Sequence, residues 1–290
     1  MTTNFFQMLR PQRTGACVIA LHCSLGSGRQ WTKLGAELGN RYQFIAPDLS
    51  GYGDRRAAFE LPTTLAKEVE LLASRLAGAV GPIHLVGHSY GGAVAFKIAT
   101  DSPFASRVRS LTLIEPVLPT LLADNAADLR LHDRFAHVAQ NVCEDIWNGR
   151  VMEAIDKFTE FWNGSAPREQ PSANARIRTI EQAYKLAFDF TSAFAERDVA
   201  AKAASLRVPT LLLSGGLSPY LTQRIVQRLS AIIGGAERQH LPAAGHMLPM
   251  SHATEINSAI VRHIARADEF AGVPPAAAQP MAEVISLAKG

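Results

Sequence analysis

Short apolar or β-branched runs alternate with stretches of helical spacing along most of the chain. The strand candidates are Ala16–Leu21, Gln43–Ala46, Ile83–Val86, Val108–Ile114, Pro209–Leu213 and Ala236–Leu241. Between them, Trp31, Leu34 and Leu38, and again Leu65, Val69, Leu72 and Leu76, recur every three or four residues. This spacing predicts helices whose apolar stripes face a core. Strands alternating with helices predict an α/β fold, a mostly parallel central sheet with helices on both faces.

The alternation stops after Pro119 and resumes near Val208, leaving roughly 90 residues with helical patterns and no convincing strand. An insertion is the simplest reading. Within it Ile177, Ile180, Tyr184, Phe188 and Thr191 predict a long amphipathic helix, its apolar stripe packed onto the main domain. Phe135, Trp147, Phe158, Phe161, Trp162, Tyr184, Phe188, Phe190 and Phe194 lie in the same segment. Their share only slightly exceeds its share of the chain, so a pocket roof and plain core both fit. The expected organisation is a core domain of residues 1–118 and 205–269, a helical insertion at 119–204 and an Ala/Pro-rich tail at 270–290.

Composition narrows the classes. A net charge of +3, with 47% hydrophobic and 19% charged residues over 290 positions, suits a globular enzyme and gives no polyanion-binding surface, so no nucleic-acid partner is expected. Cys17, Cys23 and Cys143 form neither a disulfide framework nor a metal-ligand spacing, so no metal is expected. No run approaches the roughly 18 apolar residues of a membrane span. No signal-peptide pattern is seen, and the expectation is a cytoplasmic protein. Oligomeric state is not legible.

The chemistry concentrates at Gly87-His88-Ser89-Tyr90-Gly91, set between an apolar strand and the helical run Gly92–Ala99. A serine hydroxyl attacks poorly until it is held clear of the backbone, given a base and faced by donors for an oxyanion. Glycines two before and two after Ser89 allow the sharp strand-to-helix turn that exposes it. The bland alternative is a serine that merely satisfies a glycine turn.

With the segments Leu21–Ser27, Ala46–Gly53 and Leu241–Met247 in the same order, the chain resembles the α/β-hydrolase family over residues 15 to 268. The resemblance implies about eight strands, with a helical lid after the sixth, which is the run ending at Ile114. It implies His246 as the base. It also implies an oxyanion hole made by the backbone N–H groups of Ser24 and Tyr90, although Cys23 stands where relatives usually have glycine. His22 is expected to be structural, as is Asp48. Relatives most often carry the triad acid just past the seventh strand, and Ser218 occupies that position here. Some members, certain haloalkane dehalogenases among them, place the acid after the sixth strand, which favours Glu115; a lid carboxylate such as Asp124 or Asp128, or no acid, stays open.

The activity this resemblance implies is that of a cofactor-free serine hydrolase acting on carboxylic esters or related small acyl compounds through an acyl-Ser89 intermediate. C–C bond hydrolysis, acyl transfer and perhydrolysis use the same triad. The aspartate-nucleophile branches do not fit Ser89. A catalytically weak ligand-binding protein on the same scaffold is the alternative of another class, supported by Ser218.

Overall fold

A computed structural model describes residues 15–53, 61–79, 81–123, 125–164 and 172–273. Six strands form one sheet: β1 (Cys17–Leu21), β2 (Gln43–Ile45), β3 (Ile83–His88), β4 (Val108–Ile114), β5 (Thr210–Gly215) and β6 (Glu237–Leu241). Their order is β2-β1-β3-β4-β5-β6, and every neighbouring pair is parallel. All six overlap the strand candidates read from the sequence. The expected count of about eight strands is not reached among the described residues.

A parallel sheet needs cover on both faces, and its inner strands are correspondingly buried almost throughout. Alternate residues of β1 separate cleanly: Cys17, Ile19 and Leu21 enter one core cluster, Val18 and Ala20 the other. The first cluster is completed by α2 (Leu65–Ala77), α3 (Tyr90–Thr100) and α9 (Tyr220–Ile232). Across the sheet, α1 (Thr32–Leu38), the short α10 (Leu248–Ser251) and α11 (Ala253–Phe270) complete the second. Trp31, Leu34 and Leu38, and the α2 stripe of Leu65, Val69, Leu72 and Leu76, are buried as their spacing predicts. Thr64 starts α2 by accepting the Lys67 N–H at 3.1 Å, which satisfies one of the amides a helix start leaves open.

Among the described residues between β4 and β5 the regular elements are all helices: α4 (Thr120–Ala123), α5 (Leu129–Trp147), α6 (Val151–Asn163), α7 (Ala173–Ala195) and α8 (Val199–Ser205). Phe135 holds α5, α6 and α7 together, with Phe161, Trp162, Phe190 and Phe194 all within 5.8 Å, ring centre to ring centre. The long helix exists, but its buried face is not the expected one. Ile177, Ile180 and Tyr184 are 53%, 37% and 46% exposed. The buried face carries Ala183, Leu186, Ala187 and Phe190 together with Gln182, Lys185, Asp189 and Ser192. Periodicity assigns polar residues outward, and here they turn inward because they find charged and hydroxyl partners there.

Among the described residues no helix is long and apolar enough to cross a membrane, and no group of three or more His, Cys, Asp or Glu could hold a metal ion. Cys17, Cys23 and Cys143 are free thiols. The tail residues from 274 onward, with Asp54, Arg55, Arg56 and Asp124, lie outside the described residues.

Candidate active site

β3 ends at His88 and α3 begins at Tyr90, so Ser89 alone makes the turn. Its φ of 57° and ψ of −120° put a non-glycine residue where a Cβ is costly. The surroundings hold it there: the Ser89 N–H donates to the Ile114 carbonyl at 2.9 Å, and its own carbonyl accepts from Gly92, Ala93 and Val117. The flanking glycines are needed for close approach. A Cβ on Gly91 would lie 2.3 Å from the His22 carbonyl oxygen, and one on Gly87 2.4 Å from that of Gly91.

His246 follows β6, and its Nε2 lies 2.9 Å from Ser89 Oγ. Its Nδ1 lies 2.6 Å from Oε2 of Glu115, the residue directly after β4. A carboxylate at Nδ1 accepts the Nδ1–H and leaves the Nε2 lone pair facing the serine hydroxyl. Glu115 is fully buried, and its other oxygen accepts the Gly215 N–H at 2.7 Å, anchoring it to the end of the neighbouring strand β5. Glu115 also has a positive φ, 44°, which the Leu213 carbonyl helps to fix by accepting its N–H.

The competing acids are elsewhere. Ser218 Oγ is buried without a hydrogen-bond partner among the described residues. Asp128 takes Arg224 in a two-pronged ion pair, at 2.7 and 3.1 Å. Asp48 accepts the Gly28 N–H at 2.7 Å.

Tyr90 follows the serine directly in the chain, and Ser24 and Ser89 line one cavity of about 1280 Å³ with His246. Amides at a helix start have no carbonyl partner within the helix, which leaves the Tyr90 N–H available. In the loop after β1 the Cys23 N–H donates to Gln30 Oε1 at 3.3 Å. His22 is buried and neutral, its pKa lowered to about 4 chiefly by burial. Its Nδ1–H donates to the Cys23 carbonyl, and its Nε2 accepts the Leu49 N–H.

Three further side chains reach the site, and only one is conspicuous in the sequence. His88, inside the glycine turn, is kept neutral by burial and by the neighbouring His246, its pKa far below the ordinary value. Its Nε2–H donates to the His246 carbonyl at 2.9 Å while its Nδ1 accepts from Gln30 Nε2 at 3.1 Å. Gln30 therefore bridges the Cys23 loop to the histidine loop. Trp162, from α6, stacks on the His246 imidazole at 4.2 Å and 22°. No local pattern marks Gln30 or Trp162, because their roles arise only from tertiary placement.

The cavity combines Trp162, Phe158, Met247 and Met250 with Gln182, Asn163, Arg29, Lys33 and Arg178. Apolar walls with a few polar groups suit a small organic molecule.

The chain is 27% identical to RutD of Klebsiella pneumoniae (strain 342), a protein named for carbamate hydrolysis, over 84% of this chain and 90% of that protein. It is 36% identical to the lipase LipV of Mycobacterium tuberculosis over 38% of this chain and 42% of that one. Among solved structures, MenH of S. aureus superposes with a TM-score of 0.70 at 18% identity, covering 89% of this chain and 96% of that chain. A bromoperoxidase from Bacillus anthracis gives 0.65 at 20% identity, covering 87% and 92%. Residues 18–259, which hold the serine turn, Glu115 and His246, match the alpha/beta hydrolase family, and the chain belongs to that family.

Proposed function

We propose that this hydrolase acts on carboxylic esters or related small acyl compounds through an acyl-Ser89 intermediate. The observation that carries this reading is the continuous hydrogen-bonded line from Ser89 Oγ through both nitrogens of His246 to Glu115. His246 Nε2 takes the Oγ proton as Oγ bonds to the acyl carbon, and the carbonyl electron pair moves onto oxygen. Ser24 and Tyr90 N–H groups stabilise that oxyanion. Collapse breaks the bond to the leaving group, which receives the proton from His246. Water repeats the sequence and frees the acid. Glu115 orients the imidazole and stabilises its charged form. Helices α4–α8 serve as the lid, since α6 and α7 supply Trp162, Gln182 and Arg178 to the cavity.

A ligand-binding protein without turnover would need neither the aligned line nor the strained Ser89. The names of RutD and LipV suggest carbamates and lipid esters as the acyl compounds to try beside simple esters.

Short nitrophenyl esters and a fluorophosphonate probe test the reading. The wild type is expected to hydrolyse the esters and take the label on Ser89; Ser89→Ala is expected to do neither. Glu115→Gln should lower kcat about 10³- to 10⁴-fold, the loss seen when the orienting carboxylate of a triad is neutralised. Wild-type turnover in Glu115→Gln would remove Glu115 from the mechanism, and an unlabelled wild type would remove the serine chemistry altogether.

A further inference from the structure

A second ionic cluster lies beneath the lid and outside the Ser89–His246–Glu115 line. Glu68 of α2 and Lys185 and Asp189 of α7 are 0%, 2% and 4% exposed. Lys185 Nζ sits 3.1 Å from Glu68 Oε2 and is hydrogen-bonded to Asp189 Oδ1. Burial works against the lysine's charge, but Asp189, Tyr90 and Glu68 outweigh it and hold its pKa above the ordinary value. Three buried charges are expensive, and an apolar cluster of the same volume is often equally stable. Their value therefore lies in what they orient.

They orient two loops. Asp189 Oδ2 accepts the Ser24 hydroxyl at 2.5 Å and the Tyr52 hydroxyl at 2.6 Å. Glu68 Oε1 accepts the Ser50 N–H at 2.9 Å. The Tyr90 hydroxyl lies 3.5 Å from both Glu68 Oε2 and Lys185 Nζ, and the ammonium stands 4.5 Å from the Tyr90 ring centre. Ser24 and Tyr90 are the two residues whose backbone N–H groups would face the oxyanion. Both side chains are thus tied to one rigid node, and two of its three charges belong to a helix of the insertion.

We infer that Lys185 and Asp189 are positioning residues: seating α7 on the core through Glu68 fixes the Ser24 and Tyr90 amides at their working separation, coupling lid placement to the oxyanion hole. This rests on the reading of the site as a serine hydrolase. Neither residue lines the cavity with Ser89, so neither touches substrate. Their effect passes through the two amides alone.

Ser24→Ala cuts one tether while keeping the backbone N–H. Loss of an oxyanion donor costs about 10²- to 10³-fold in kcat, so a loosened donor should cost about 10-fold, with KM within about twofold of wild type. Ser24→Thr, which keeps the hydroxyl, should restore the rate. Because removing Lys185 alone strands two buried carboxylates, the paired variant Lys185→Met with Asp189→Asn takes out the cation and one anion together. It should lower kcat by about 10- to 100-fold at similar KM. Hydrogen exchange over residues 22–28 of the same full-length variants reads loop order without turnover and should quicken about 10-fold. Wild-type kcat in both variants, or unchanged exchange in the paired variant, overturns the inference. Faster exchange beside a wild type that neither hydrolyses esters nor takes the fluorophosphonate label upholds the coupling of α7 to the loop and overturns the hydrolase reading instead.

Discussion

Two of the four non-glycine residues with positive φ among the described residues are Ser89 and Glu115. Strain of this kind persists only where the surroundings over-determine it, and it gathers at functional sites. Ser89 was legible because its glycines advertise a tight turn. Glu115 was legible only by its place after a strand; its positive φ depends on hydrogen bonds to β5 that no local pattern encodes. The adjacent strand end gives the proposed placement of the acid at Glu115 a physical basis. Glu115 Oε1 accepts the Gly215 N–H, and Ser218 Oγ lies 3.0 Å from where a Cβ on Gly215 would be, so both residues crowd the same end of β5. A carboxylate at 218 is therefore expected to substitute for one at 115. Adding Ser218→Asp to Glu115→Gln should recover at least about 10-fold in kcat over Glu115→Gln alone, a fraction of what a triad carboxylate contributes. No recovery on the same ester would show that position 218 cannot address His246.

At the scale of elements, the inner strands β1, β3, β4 and β5 were readable because a parallel sheet covered on both sides needs largely apolar runs, and those runs are visible without context, whereas the edge strand β6 is mostly polar and exposed. The orientation of α7 was not. Its stripe of Ile177, Ile180 and Tyr184 has the period of a core face, yet the face that packs carries Lys185, Asp189, Gln182 and Ser192. A helix interior to the insertion can bury polar groups when Glu68, Ser24 and Tyr52 answer them, and those partners lie more than 100 residues away in sequence. The exposed stripe then contributes little to stability. Replacing Ile177 or Ile180 by Glu should cost no more than about 0.5 kcal/mol, the range of ordinary surface changes. Phe135→Ala, by contrast, removes the ring on which α5, α6 and α7 converge and should cost about 3–5 kcal/mol. Urea midpoints of the three variants decide it. A large loss at Ile177 or Ile180 would mean that the stripe is covered in solution.

Over the whole molecule, the reacting groups gather at the C-terminal ends of the strands, and a separate buried knot closes the opposite end. There Asp268 of α11 accepts from Tyr42 at 2.7 Å and Arg109 at 2.8 Å and lies 3.2 Å from His84 Nε2. Burial pushes the Asp268 carboxyl up, but bonds from His84, Tyr42 and Arg109 outweigh it and hold the group well below the usual carboxylate range. Near it His263, and near the active site His22, have pKa values lowered to about 4, mainly by burial, and burial also lowers that of His88. In the unfolded chain each imidazole takes a proton near pH 6.5, whereas in the folded chain His22 and His263 refuse it until about pH 4 and His88 is held neutral well below the ordinary value. Protons thus bind preferentially to the unfolded state across that window, and stability falls as pH drops through it. Asp268 adds a second loss below about pH 4, where the unfolded carboxyl protonates before the folded one. The urea midpoint should therefore hold steady from about pH 8 to 7 and decline from about 6.5 downward, well above the carboxylate range. Replacing His263 with Gln removes one of the three titrating imidazoles and should shallow the slope between about pH 6 and 4.5 by at most about 1.4 kcal/mol per pH unit, one proton's worth. A wild-type midpoint that stays level down to about pH 4.5 would mean that these histidines accept protons without unfolding the sheet they anchor.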